Sequence, residues 1–286
     1  MSSILHYEAS ATSNDNLKLF IQGWYSENNK KAIICLIHGI GEHSGRYKNW
    51  AERFVDEGVV FAILDLRGHG KSEGKRGHTP SLKHYLNDVE IFIKETKSQF
   101  PNLPVVLYGH SMGGNIGLNF IMNRPNIVDA SIISSPWIKL TKAPSLILIT
   151  ISKLLKNIIP DLLQNNGLDT SFLSHDKIEV KKYIDDILIH NKISIATFVE
   201  LHNSKNWILE NPDKLQTQTI FIHGGGDKIT SHFATMELAN ETAEISTIKI
   251  FDGLFHETHN EIEKEDVFKH LISELDKLNL YPNEKL

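Results

Sequence analysis

The stretch Gly109-His110-Ser111-Met112-Gly113 constrains this chain more than any other. A short apolar run, Val105-Val106-Leu107-Tyr108, leads into it, and Gly114-Asn115-Ile116-Gly117-Leu118-Asn119-Phe120-Ile121 follows. The pattern predicts a strand, a sharp turn centred on Ser111, and then a helix. A serine at such a turn stands clear of a sheet only if its backbone is strained. Strand and helix then approach so closely that positions two before and two after the serine have no room for a side chain. Gly109 and Gly113 meet that demand. A plain glycine-rich turn with an incidental serine would leave the same five letters, so the rest of the chain must decide.

Short β-rich runs alternate with longer helical patterns, which predicts an α/β fold with a mainly parallel sheet covered on both faces. Strands are expected near Leu17–Tyr25, Ala32–His38, Val59–Leu64, Val105–Tyr108, Ala130–Ser134, Thr219–His223 and Thr247–Phe251. Helices are expected over Tyr47–Glu57, Leu82–Ser98, Asn115–Asn123, His232–Glu241 and Glu263–Lys277. The stretch before Ala32 reads as an antiparallel opening hairpin. Between Pro136 and about Lys205 the pattern turns helical with no strand signal. Residues 136–205 are therefore expected to be a helical insertion above a core formed by residues 1–135 and 206–286. Within the insertion Pro144 starts a helix ending near Pro160, carrying Leu146, Ile147, Leu148, Ile149, Ile151, Leu154 and Leu155. Its early turns are apolar nearly all round, which fits either a helix deep in the core or an exposed lid.

With 286 residues and 41% hydrophobic content, the chain can bury a sizeable core. A net charge of −5 supplies no broad basic surface, which counts against nucleic acid as a partner. The single cysteine, Cys35, excludes an internal disulfide and suits a reducing compartment. It sits in the run Ala32–Ile37 and reads as a core residue, not a nucleophile. No basic segment followed by a long apolar one opens the chain at Met1–Glu8, so a cytoplasmic protein without a secretory signal is expected. The most lipid-like stretch, Ser145 to Ile151, is too short to span a bilayer.

A serine nucleophile needs a base, and the base needs a carboxylate to set its tautomer and balance its charge. At this kind of turn the partners follow in the order Ser, acid, His. Thr219–His223 reads as a strand followed by Gly224-Gly225-Gly226-Asp227, and Thr247–Phe251 as a strand followed by Asp252-Gly253-Leu254-Phe255-His256. Both groups fall beyond the carboxyl ends of parallel strands, on the edge where Ser111 lies. Asp227 is the expected acid and His256 the expected base. Asp252 is too close in sequence to reach behind the His256 ring, and Asp65 precedes Ser111. His110 should point into the packing under the turn, and His223 should be a hydrogen-bonded core histidine. The oxyanion should be held by two backbone N–H groups, one from Met112 and one from Ile40 in the loop His38-Gly39-Ile40-Gly41. His256-Glu257-Thr258-His259 is one residue short of a helical zinc motif, and Gly68-His69-Gly70-Lys71-Ser72 lacks the spacing of a phosphate loop. No metal or cofactor is called for.

Three segments together resemble the monoacylglycerol lipases and lysophospholipase-like serine hydrolases of the α/β-hydrolase superfamily. They are His38-Gly39-Ile40-Gly41-Glu42-His43-Ser44-Gly45-Arg46-Tyr47, Asp65-Leu66-Arg67-Gly68-His69-Gly70-Lys71-Ser72-Glu73-Gly74, and Gly109–Gly114. The likeness runs over nearly the whole chain, including Leu168–Ser174 in the insertion. It implies an α/β-hydrolase fold with a helical cap, peripheral contact with membranes through that cap, and hydrolysis of a small lipid ester through Ser111, Asp227 and His256. By motif match it places Glu42, Arg46, Tyr183 and His259 near the glycerol end of the substrate. One departure concerns the cap, where the family commonly carries Asn-x-Asp-Pro-Leu and this chain reads Ile184-Asp185-Asp186-Ile187-Leu188. The expected activity is cleavage of monoacylglycerols. A lysophospholipid or short-chain ester substrate, a non-hydrolytic enzyme and a ligand-binding receptor on the same fold stay open at this point.

Overall fold

The computed structural model describes residues 3–280, so Met1 and Ser2 of the N-terminal stretch lie outside it. Its strands are β1 (Ile4–Thr12), β2 (Lys18–Ser26), β3 (Ala32–Ile37), β4 (Val59–Leu64), β5 (Val105–His110), β6 (Ala130–Ser134), β7 (Leu163–Asn165), β8 (Lys192–Ser194), β9 (Gln218–Gly224) and β10 (Ser246–Phe251). Eight of them form one sheet in the order β1-β2-β4-β3-β5-β6-β9-β10. β1 and β2 pair antiparallel, as do β2 and β4, and every pairing from β4 to β10 is parallel. The expected opening hairpin is present, with its first strand now located at Ile4–Thr12.

The central strands β3 to β6 are buried along their whole length. Their unbroken apolar runs follow from that burial, because side chains on both sides of the sheet meet a layer of helices. Ile33, Cys35, Ile37, Val105 and Leu107 face one layer, and Ile34, Leu36, Val106 and Tyr108 face the other. The first layer contains α2 (Leu82–Gln99), α3 (Met112–Asn123), α6 (Ile195–Glu210) and α7 (His232–Glu241). The second contains α1 (Lys48–Asp56) and α8 (Lys264–Lys277), which meet through Trp50, Phe54 and Phe268. Cys35 is fully buried, and burial pushes its thiol up to about 12, which removes it as a nucleophile.

β3 and β5 are neighbours, yet β3 leads through α1 on one face and β5 through α3 on the other. Connections that part in this way open a crevice at the carboxyl ends of the two strands. Ser111 follows β5 there, and the His38–Gly41 loop follows β3.

The segment between β6 and β9 holds α4 (Leu146–Leu155), α5 (Lys177–Asp185) and α6. The expectation of no strand in it is corrected by the β7–β8 ribbon, three residues on each side. Such short strands, Leu-Gln-Asn and Lys-Ile-Ser, give no alternation long enough to read. Of the two readings of α4, exposure prevails. Leu146 is 80% exposed, Ile147 73% and Leu154 66%, while Ile149 and Leu155 reach the core layer. Ser145 caps the helix through its side-chain oxygen, which accepts from the Leu148 N–H.

Candidate active site

Ser111 sits between β5 and α3 with φ +54° and ψ −115°, a conformation that side-chain-bearing residues avoid. The glycines explain how the chain tolerates it. A Cβ on Gly109 would lie 2.5 Å from the Gly113 carbonyl oxygen, and one on Gly113 would lie 2.1 Å from that of Ile37. The turn is pinned by hydrogen bonds from Ser111 N–H to Ser134 O (3.0 Å) and from Trp137 N–H to Ser111 O (2.9 Å).

The Ser111 hydroxyl lies 2.9 Å from His256 Nε2, and His256 Nδ1 lies 2.7 Å from Asp227 Oδ2. Residues 111, 227 and 256 come from the ends of β5, β9 and β10, and all three are buried. The loop that carries His256 is tied to the insertion, with His256 N–H donating to Phe172 O and Glu257 N–H to Leu173 O. Asp227 is the more tightly held partner. Its Oδ1 accepts from the Ile229 and Thr230 N–H groups at 2.7 and 3.0 Å. Its Oδ2 accepts from the Thr230 hydroxyl at 2.9 Å and lies 3.0 Å from His223 Nε2. Burial pushes the Asp227 carboxyl up, but the two imidazoles and their hydrogen bonds outweigh it and hold the group well below the usual range. Burial likewise pushes His256 down, and the Asp227 carboxylate more than offsets it, leaving His256 above its ordinary value.

Asp252 is exposed, and Asp65 holds the backbone N–H groups of Ser44 and Lys71. His110 is buried beneath the turn and bonded to Ser134, but its ring also stands 4.9 Å from that of His256, nearer the site than its position in the turn suggested. His223 is the buried, hydrogen-bonded histidine the sequence suggested. Its contact with Asp227 was not legible there.

Met112 is the first residue of α3, so its N–H has no carbonyl acceptor within the helix. The His38–Gly41 loop runs beside the serine, since a Cβ on Gly39 would lie 3.2 Å from Ser111 Cβ. Glu42 anchors that loop by accepting the Gly39 N–H at 2.6 Å and the Tyr47 hydroxyl at 2.9 Å. Arg46 donates to Glu42 at 2.7 Å and forms a bidentate pair with Glu257 at 2.6 and 2.7 Å. Its guanidinium also stands 4.7 Å from the centre of the Tyr183 ring. Glu42, Arg46 and Tyr183 therefore converge, with Glu257 as a partner the sequence did not single out. His259 lies behind them, stacked on Tyr47 at 4.8 Å, and burial pushes its imidazole down to about 4. Its ring nitrogens have no hydrogen-bond partner among the described residues.

Among the described residues, a cleft and a small cavity reach Ser111. A cleft of about 430 Å³ is lined by Ile40, Trp137, Leu140, Leu168, Phe172 and Ile229. A cavity of about 20 Å³, room for about one water, is lined by Ser111, Glu42, Tyr183, His256 and Glu257. In the departing cap segment, Asp186 pairs with His43 at 2.9 Å and accepts the Leu188 N–H at 2.8 Å. That bond ties the end of α5 to the loop after β3 without the family's asparagine or proline.

A mainly parallel eight-stranded sheet, with a strained serine and a buried histidine at its carboxyl edge, defines a serine hydrolase of the α/β-hydrolase fold. The family model described as serine aminopeptidase, S33 matches residues 28–263, and the chain belongs to that family. It is 32% identical over 263 residues to the monoglyceride lipase homolog of Monkeypox virus, covering 90% of this chain and 94% of the relative. An abhydrolase domain-containing protein of Dictyostelium discoideum is 30% identical, but the chain spans only 28% of its length. Among solved structures, the monoacylglycerol lipase of Paleococcus ferrophilus superimposes with a TM-score of 0.80 at 28% identity, covering 96% of this chain and 99% of that one.

Proposed function

We propose that this protein hydrolyses monoacylglycerols to glycerol and fatty acid through an acyl-enzyme on Ser111. The observation that carries the proposal is the continuous hydrogen-bonded line from Ser111 through His256 to Asp227 at the base of the 430 Å³ cleft. His256 Nε2 takes the Ser111 proton as Oγ attacks the ester carbonyl carbon. The carbonyl oxygen becomes an oxyanion, held by the Ile40 and Met112 N–H groups, and Asp227 balances the imidazolium. Collapse of the intermediate breaks the ester C–O bond, and His256 gives its proton to the departing glycerol oxygen. A water then delivers its proton to His256 and attacks the acyl carbon, and the second collapse returns the proton to Ser111 and frees the acid.

Substrate choice is argued from the two cavities. In the larger cleft Trp137, Leu140, Leu168, Phe172 and Ile229 offer apolar surface to an acyl chain, beside the polar lining residues Lys142, Asp169 and Lys228. On the alcohol side, the single guanidinium of Arg46 already faces two buried carboxylates, Glu42 and Glu257. That end has no spare positive charge for a phosphate. The cap, residues 136–205, covers the site. No helix among the described residues is long and apolar enough to cross a membrane. Peripheral contact is assigned to the exposed apolar residues of α4, where buried area supplies most of the attraction.

Monoolein and lysophosphatidate carrying the same acyl chain provide the test, with S111A as the control. The wild type should prefer monoolein, and S111A should lose both hydrolysis and labelling by a fluorophosphonate. Retained turnover in S111A would refute the mechanism. Faster cleavage of lysophosphatidate would place the headgroup beside Lys142 and Lys228 in the larger cleft and overturn the substrate assignment.

A further inference from the structure

Asp227 Oδ2 is shared between two imidazoles, His256 at 2.7 Å and His223 at 3.0 Å. His223 belongs to β9, is fully buried, and lies four residues before the carboxylate across the turn Gly224-Gly225-Gly226. Its second nitrogen, Nδ1, stands 2.9 Å from the Thr235 hydroxyl on α7. A hydroxyl can donate or accept, whereas the carboxylate at Nε2 can only accept. If the Thr235 hydroxyl donates to Nδ1, the ring proton sits on Nε2 and points at Asp227. Burial lowers the His223 pKa and keeps the ring neutral, so it serves the carboxylate as a donor and not as a second cation. The Thr230 hydroxyl lies against the same cluster, 2.9 Å from Asp227 Oδ2 and 3.2 Å from His223 Nε2.

We propose that His223 is a positioning residue for the hydrolysis, donating from Nε2 to Asp227 Oδ2 in the tautomer that Thr235 supports, and so moderating the pull of the carboxylate on His256. The inference rests on the reading of Ser111, His256 and Asp227 as the catalytic machinery. An oxygen with a second imidazole donor spreads its charge and is a weaker acceptor toward the first. His256 then gives up its proton at lower pH, and the neutral base that Ser111 needs persists further into the acid range. It also fixes the carboxylate plane, which points the His256 ring at Ser111.

The neighbourhood limits what else could move such a titration. Around His223 the titratable groups are Asp227, His256 and His232 of α7, whose ring centroid is 6.2 Å away. Around His256 they are Asp227, Glu257, Glu42, His110 and His259. Replacing His223 leaves all of these in place.

The test compares wild type, H223F, H223Q and T235V, with kcat expressed per fluorophosphonate-labelled site and kcat/KM followed against pH. H223F removes the donor while filling the space. It should lower kcat about tenfold, as loss of one hydrogen bond to a charged group implies, and move the acid limb of kcat/KM to higher pH. H223Q can return an amide N–H to the same oxygen and should restore most of both. T235V frees Nδ1 and should move the limb in the same direction by a smaller amount. An acid limb that stays in place in H223F, with kcat per labelled site unchanged, would overturn the proposal. If H223F does not fold, an unmoved limb in T235V overturns it and a raised one supports it. Failure of the underlying reading would show differently, as turnover or labelling that survives in S111A.

Discussion

Replacing Arg46 by Met probes the polar end of the site most directly. The side chain of Arg46 is only 7% exposed, joined at 2.6 and 2.7 Å to both oxygens of Glu257 and at 2.7 Å to Glu42. Burial alone would push the Glu257 carboxyl up, yet Arg46 draws it from its ordinary 4.5 down to about 2. Breaking one partner out of a buried pair typically costs about 3–5 kcal/mol, and that sets the expected loss. Because the folded pKa is lowered, this stability is present above the ordinary carboxylate range and is lost as pH falls through about 2. Methionine keeps much of the volume but leaves two buried carboxylates without a cation. Protonation of Glu257 then relieves the variant as pH falls. Urea denaturation at pH 7 should therefore show R46M less stable by about 3 kcal/mol, with a smaller gap at pH 4.5. Removing a carboxylate as well, in R46M/E257L, should recover part of the loss. A gap below about 1 kcal/mol at pH 7, or one that does not narrow in acid, would refute the reasoning.

G113A should lose at least about 2 kcal/mol in the same assay, because its Cβ would meet two rigid backbone oxygens, Ile37 at 2.1 Å and His38 at 2.6 Å. A variant within about 0.5 kcal/mol of wild type would mean that strand and helix can part there. The double variant L146S/L154S alters two exposed positions of α4. It should bind phosphatidylcholine vesicles at least about tenfold more weakly while cleaving a soluble p-nitrophenyl ester normally, and unaltered vesicle binding would remove α4 as the contact surface.

Local pattern alone carried much of this molecule. The apolar runs of β3 to β6 are legible because both sides of each strand are buried, so no polar residue interrupts them. Gly109 and Gly113 are legible because only glycine fits between a strand and a helix that nearly touch. Asp227 and His256 could be placed because each follows a strand, and the carboxyl ends of parallel strands share one edge. Tertiary structure decided what depends on distance between remote segments. Whether α4 was core or surface could not be settled from its own residues, since an all-apolar turn reads alike in either place. The ribbon of β7 and β8 was invisible because three-residue strands gain their identity from each other. Glu257 joined Arg46 only when loops 211 residues apart were brought together, and the contact of His223 with Asp227, though local, depends on how the turn after β9 folds back. Hydrogen bonds between loops leave no periodic trace in a chain, and that is why the support of the site had to be seen in space.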